Sequence, residues 1–231
     1  MFAKFRSELL ARRMKFVSIG DIHMATRNLE RMGEVLRDCD LMILAGDLTN
    51  FGGAADSGKV LAEARRACPN LLAVPGNLDQ RETFAFLENE KVAIHGKGIV
   101  LDGVALFGCG GSNISPFNTP TEFTEDEIYA TLAQGYAQVA DLRPLVMICH
   151  APPFETKCDR LMNGTPVGSK AARRFIEEVK PDICISGHIH ESAAEDAIGP
   201  TKIFNAGPFK GGGYVVVRAE GRRLDARLEF L

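Results

Sequence analysis

Five short apolar runs, each cut off by a glycine, a proline or a histidine, constrain this chain more than any other feature. They are Phe16–Ile19, Leu41–Leu44, Leu71–Val74, Leu145–Cys149 and Ile183–Ser186. Each is rich in Val, Ile and Leu and shows no alternation with polar residues. Such runs suit strands buried on both faces of a sheet. Helical spacing fills several gaps between them. Leu29, Met32, Gly33 and Leu36 recur at that spacing after the first run, as do Ala172, Phe175, Ile176 and Val179 before the last.

Capping signals sharpen the helices. Ser169 is placed to cap a helix over Lys170 to Lys180, which Pro181 then stops. Thr124 with Glu127 forms a capping box ahead of Ile128, Leu132 and Val139. Asp79, three residues before Glu82, reads as the N-cap of a helix carrying Phe84 and Leu87. Further strands are expected at Val92–Ile94, Ile99–Leu101 and Val104–Phe107, in a segment punctuated by glycine. More follow at Lys202–Asn205, Gly213–Arg218 and Leu224–Phe230. That is more sheet than a simple doubly wound fold needs. The expected fold class is α/β, a four-layer α/β/β/α sandwich of two mixed sheets flanked by helices. One domain over residues 14–231 is expected, after an N-terminal extension at residues 1–13 that could instead be a short amphipathic helix.

Composition bounds the partners. The chain has 231 residues, 45% of them hydrophobic and 25% charged, which is ordinary for a protein with a real core. A net charge of -3 provides no global field for recruiting nucleic acid or an acidic membrane surface. The six cysteines show no CxxC pair, and Cys149 and Cys184 fall within buried runs. No apolar stretch approaches the ~20 residues of a membrane span, and Met1–Arg13 has too short an apolar segment for a secretory signal. A cytoplasmic protein without membrane partners is the expectation.

The strand ends carry the chemistry. The first run ends in Gly20-Asp21-Ile22-His23, the second leads to Gly46-Asp47, and the third to Pro75-Gly76-Asn77. The fourth ends in His150, and the fifth in Gly187-His188-Ile189-His190. Sites in α/β sheets form beyond the carboxyl ends of strands, so these residues could meet on one rim. Carboxylates, imidazoles and one amide oxygen suit divalent manganese, iron or zinc. Seven ligands exceed what one tetrahedral ion takes, yet suffice for two ions sharing a carboxylate. Four of the five histidines fall in this set. Singly, each residue has an ordinary explanation as a helix cap, a turn pair or a strand-end histidine. Those explanations do not account for the whole set in this order.

The order Asp21-x-His23, Gly46-Asp47, Gly76-Asn77, His150 and Gly187-His188-x-His190 resembles the calcineurin-like metallophosphoesterases, and particularly their small bacterial and archaeal phosphodiesterase-like members. The resemblance implies a dinuclear site with Asp21, His23, Asp47 and His190 on one metal. Asp47, Asn77, His150 and His188 would hold the other, with Asp47 bridging. It implies two divalent ions as cofactors (manganese first, with iron, zinc or nickel as alternatives) and a small phosphate ester as substrate. A hydroxide bridging the ions would attack phosphorus. Asp47, His150 and His188 are the expected catalytic residues, with Asn77 and Asn113 as substrate contacts. Where the family usually has Gly-Asn-His, this chain has Gly76-Asn77-Leu78. Leucine cannot donate a proton, and general acid help of that kind is worth roughly 10²–10⁴-fold. Phosphodiesters are therefore favoured over monoesters. A non-catalytic scaffold on the same fold is the alternative reading, against which all seven expected ligands are present.

Two segments complete the expectation. Gly108 to Pro120 is read as a substrate-facing loop, with Asp159–Val167 as a second rim. His95, the one histidine outside the set, is expected at a surface turn before Gly96.

Overall fold

The structure, a computed structural model, describes residues 13–231. Two sheets stack face to face. The first has the order β13 (Arg223–Phe230), β12 (Gly213–Glu220), β1 (Arg13–Ile19), β2 (Leu41–Ala45), β3 (Leu71–Val74), with β1, β2 and β3 parallel. The second has the order β10 (Ala194–Ile198), β11 (Thr201–Asn205), β9 (Ile183–Ser186), β8 (Leu145–Cys149), β5 (Val104–Cys109), β4 (Gly98–Leu101), with β11, β9, β8 and β5 parallel. Helices cover both outer faces, giving the expected α/β/β/α sandwich.

The uninterrupted apolar runs follow from this layering. Side chains alternate across a strand, and here both faces are buried. Val17 and Ile19 of β1 join an outer core with Val60 and Leu61 of the helix Ala54–Ala67. Phe16, preceding Val17 in sequence, joins an inner core with Ile43, Val146, Ile148 and Phe204 from the two sheets. A third core packs Phe107, Met147 and Cys184 under Ile128, Leu132 and Phe175 of the helices Glu125–Ala137 and Lys170–Val179.

Local signals behave as their chemistry dictates. Thr124 and Glu127 form the capping box, and Ser169 Oγ accepts from Ala172 N at 3.1 Å. The helix after Ser169 ends at Val179, one residue early, because Lys180 takes a left-handed conformation (φ 54°) before Pro181. Other expectations need correction. The helix at Leu29–Leu36 is two pieces, Asn28–Arg31 and Gly33–Leu36, parted at Met32 just before the helix-weakening Gly33. Val92–Ile94 is not a ladder strand. It touches β3 only through Ala73↔Ala93, with Ala73 N bonded to Val92 O and Ile94 N to Ala73 O, so it covers that edge and then turns away. Of the expected extension, Arg13 already belongs to β1, and residues 1–12 lie outside the described residues. Strand β10 and the short pair β6 (Ser112–Asn113) and β7 (Glu122–Phe123) had no clear apolar signal. Among the described residues no helix is long and apolar enough to cross a membrane.

Phe16 is fully buried between the sheets. Phe16→Ala is expected to lower unfolding free energy by about 3–5 kcal/mol in a urea titration. A loss below about 1 kcal/mol would mean that the sheets do not close on this residue.

Candidate metal centre

The carboxyl ends of β1, β2, β3, β8 and β9 reach one rim and are tied there by backbone hydrogen bonds. Asp21 N donates to Gly46 O at 3.0 Å, His23 N to Asp47 O at 2.9 Å, and Gly187 N to His150 O at 3.0 Å. His188 N donates to both carboxylate oxygens of Asp21 at 3.0 Å, which joins the two sheets across the rim.

This brings all seven expected residues together in two overlapping groups. Ligand atoms of Asp21, His23, Asp47 and His190 all lie within 4.8 Å of one another. His23 Nε2 is 3.0 Å from His190 Nε2, and His190 Nε2 is 3.3 Å from Asp21 Oδ1. In the second group Asn77 Oδ1 is 2.8 Å from His188 Nδ1 and 3.2 Å from His150 Nε2. Asp47 belongs to both, with Oδ2 at 3.8 Å from His23 Nε2 and Oδ1 at 3.6 Å from His150 Nε2.

The donor set fits divalent cations on three counts. First, Asp21 and Asp47 are almost wholly buried, and among the described residues neither pairs with a Lys or Arg. Buried carboxylates without a cation are costly. Second, His150 Nδ1 faces Ala45 O at 2.8 Å and His23 Nδ1 faces Thr49 O at 3.3 Å. Donation to those carbonyls leaves each Nε2 lone pair aimed into the cluster, the usual arrangement behind metal-binding imidazoles. Third, Asn77 Nδ2 donates to Thr119 Oγ1 at 3.1 Å, and Thr119 Oγ1 donates to Glu122 at 2.8 Å, so the amide presents its oxygen inward.

Proton affinities reflect the same crowding. Burial pulls the His150 imidazole down, but the Asp47 carboxylate outweighs it and raises the pKa to about 9. Burial raises Asp47, and the His150 charge and hydrogen bond outweigh that, holding it below the usual carboxylate range. Burial and then the positive His150 push His188 down to about 4. His190 is raised, chiefly by its hydrogen bond to Asp21.

The backbone is strained to make the approach. Asp21, His23, Asp47 and His188 all have positive φ, between 49° and 70°. Such residues cost on the order of 1–3 kcal/mol each and cluster at functional sites. The glycines in the motifs clear space for ligands arriving from other strands. A Cβ on Gly46 would stand 2.2 Å from His150 Nδ1, one on Gly76 2.1 Å from Asp47 Oδ1, and one on Gly187 2.5 Å from Asp21 Oδ2.

Asp79 does not cap a helix, since the following helix starts at Glu82 behind Arg81. It is buried and accepts from Leu48 N, Thr49 N, Thr49 Oγ1 and Gly76 N at 2.7–3.0 Å. It thus clamps the loops that carry Asp47 and Asn77. His95 is not a surface-turn residue either. It is half-buried, its Nδ1 accepts from Gly110 N at 2.9 Å, and burial lowers its pKa to about 4. Asn113 ties two rim loops, its Nδ2 donating to Val167 O at 3.2 Å while its buried Oδ1 meets no protein donor among the described residues. Thr119 and Glu122 orient Asn77, and their sequence signal is the Thr-x-x-Glu spacing of a capping box, which Glu122 uses when it accepts from Thr119 N.

The model of the calcineurin-like phosphoesterase family matches residues 14–192. An uncharacterized protein of Methanocaldococcus jannaschii, MJ1162, is 38% identical over 199 residues, covering 84% of this chain and 88% of that protein. Among solved structures, TT1561 of Thermus thermophilus superimposes with a TM-score of 0.72 at 15% identity, over 94% of this chain and 99% of the other. The phosphopantetheinyl hydrolase of Mycobacterium tuberculosis does so with a TM-score of 0.58 at 16% identity, over 87% and 92%. At such identities the two structures speak to the fold alone.

Gly76→Ala is expected to weaken divalent-ion binding by about 10–100-fold, because the added methyl displaces Asp47. Calorimetric titration with manganese checks this, and unaltered affinity would show that Asp47 does not contribute to binding.

Proposed function

This chain belongs to the calcineurin-like phosphoesterase family, and from that premise we propose that it hydrolyses phosphodiesters in preference to monoesters. The family makes it a metal-dependent hydrolase of phosphoric esters. In our reading Asp21, His23, Asp47 and His190 hold one ion, and Asp47, Asn77, His150 and His188 hold the second. The single observation that carries this is the double reach of Asp47, whose two oxygens face His23 on one side and His150 on the other. Two divalent ions, when bound, supply an activated water as nucleophile and positive charge for the phosphoryl oxygens. Manganese is the preferred ion, with iron, zinc or nickel compatible, because the set mixes carboxylates, imidazoles and an amide.

The side chains then divide the work. Asp47, held by Leu78 N at 2.8 Å, fixes the spacing of the two halves. His150 is buried and oriented by Ala45 O, so it cannot swing to shuttle protons; it offers its Nε2 lone pair from a fixed position. Asn77 belongs to the ligand cluster and is the amide we assign to substrate contact, while Asn113, bonded to Val167 O, acts at one remove. Leu78 brings no proton donor to the pocket it shares with His23 and His190. Departure of the leaving group is therefore unassisted from this position, and esters with stable leaving groups are the better substrates. Six free cysteines suit a reducing, cytoplasmic setting.

With manganese, the purified protein is expected to hydrolyse bis-p-nitrophenyl phosphate. Asp47→Ala and His150→Ala should each reduce turnover by roughly 100-fold or more, and chelator should abolish it. Undiminished turnover in either variant would remove the reading. Leu78→His is expected to raise turnover of alkyl monoesters more than that of aryl diesters. Equal gains on both substrates would separate position 78 from the leaving group.

A further inference from the structure

A pocket of about 730 Å³ opens directly from the candidate metal cluster, with His23 and His190 at one end. Ala25, Leu78 and Pro208 give it apolar walls, and Lys210 is its one lysine or arginine among the described residues. No Asp or Glu among the described residues lines it. An ester bound at the cluster would have this space for its organic arm. The apolar walls suit an apolar body, and the ammonium suits an anion.

A lysine on an exposed turn is ordinarily a solvated charge without a role. Two observations bear on Lys210. It opens on the same pocket as His23 and His190, and no carboxylate pairs with its ammonium among the described residues. Its turn is also built onto the site. Phe209 is fully buried, and its N–H donates to Gly20 O at 3.2 Å and Asp21 O at 3.1 Å. Asn28 Nδ2 holds Phe209 O at 2.7 Å and Lys210 O at 3.3 Å, and Gly212 (φ 86°) closes the turn. The backbone under Lys210 is thus fixed to that of a candidate metal ligand.

We propose that Lys210 is a specificity-determining residue that takes a second anionic group carried on the organic arm of the phosphate ester. The substrate class is a phosphate ester whose arm has an apolar body, lying on Leu78, Ala25 and Pro208, and a negative charge beyond it. This rests on the reading of the cluster as a hydrolytic metal site.

The probes are phenylphosphonate and 4-carboxyphenylphosphonate, which differ only by a distal carboxylate and cannot be hydrolysed. Both are measured as competitive inhibitors of bis-p-nitrophenyl phosphate turnover by the manganese-loaded protein. Wild type is expected to bind the carboxylated probe about fivefold more tightly, the scale of one partly exposed charge pair. The preference should shrink as salt is raised. Lys210→Met should bring the ratio of inhibition constants to near one, and Lys210→Arg should retain most of it. Equal inhibition of wild type by the two probes, or a preference that survives Lys210→Met, overturns the proposal while leaving hydrolysis intact. Absence of manganese-dependent turnover altogether would overturn the metal-site reading and this inference with it.

Discussion

Two buried carboxylates, Asp21 and Asp47, stand where the ends of both sheets meet, and the rest of the molecule is arranged around that concentration of negative charge. Neither has a Lys or Arg partner among the described residues, so the compensation available comes from imidazoles and from whatever cation the site takes. Hydrogen bonds from His188 N to Asp21 and from Leu78 N to Asp47 supply part of it. The remainder shows in the imidazoles: against the effect of burial Asp47 pulls His150 up, while burial and the positive His150 push His188 down.

Holding such a site requires structure that would not form for its own sake. Left-handed backbone at Asp21, His23, Asp47 and His188 is unfavourable locally, and it persists because three apolar layers fix the strands on either side. The cores are assembled from residues immediately before the strained ones, so stability and function are adjacent in sequence and separate in role. Asp79 is the joint between them. It is buried and its proton affinity is raised by burial and by Asp47, yet four donors keep it in place beneath the loops it clamps.

The rim changes character beyond the ligand cluster. A floor of carboxylates and imidazoles gives way to apolar walls at Leu78 and Pro208 and to a cation at Lys210. Leucine at position 78 brings no proton donor to this pocket and adds an apolar surface to its wall. In the proposed reading both consequences favour esters with a stable leaving group and an apolar body.

Much of this was legible in the primary structure. The strands β1, β2, β3, β8 and β9 and all seven clustered side chains follow from local patterns: an apolar run long enough for a strand, then ligand-type side chains, introduced by a glycine after every one of these strands but β8, where His150 follows directly. Caps at Thr124 and Ser169 are equally local, since donor and acceptor lie three residues apart. What tertiary structure alone decided was partnership across distance. Asp79 sits two residues from Asn77 and within reach of a cap, but its donors Leu48 and Thr49 lie about thirty residues earlier. The space behind Gly46 is filled by His150, more than a hundred residues away. Nothing local marks Lys210 in its glycine-rich turn, which reaches the cluster only because Phe209 N bonds to Asp21 O. A hydrogen bond or a steric clearance between distant segments leaves no periodic trace in either segment. So the chain by itself determined which groups could bind cations, and only folding decided which neighbours aim, clear and flank them.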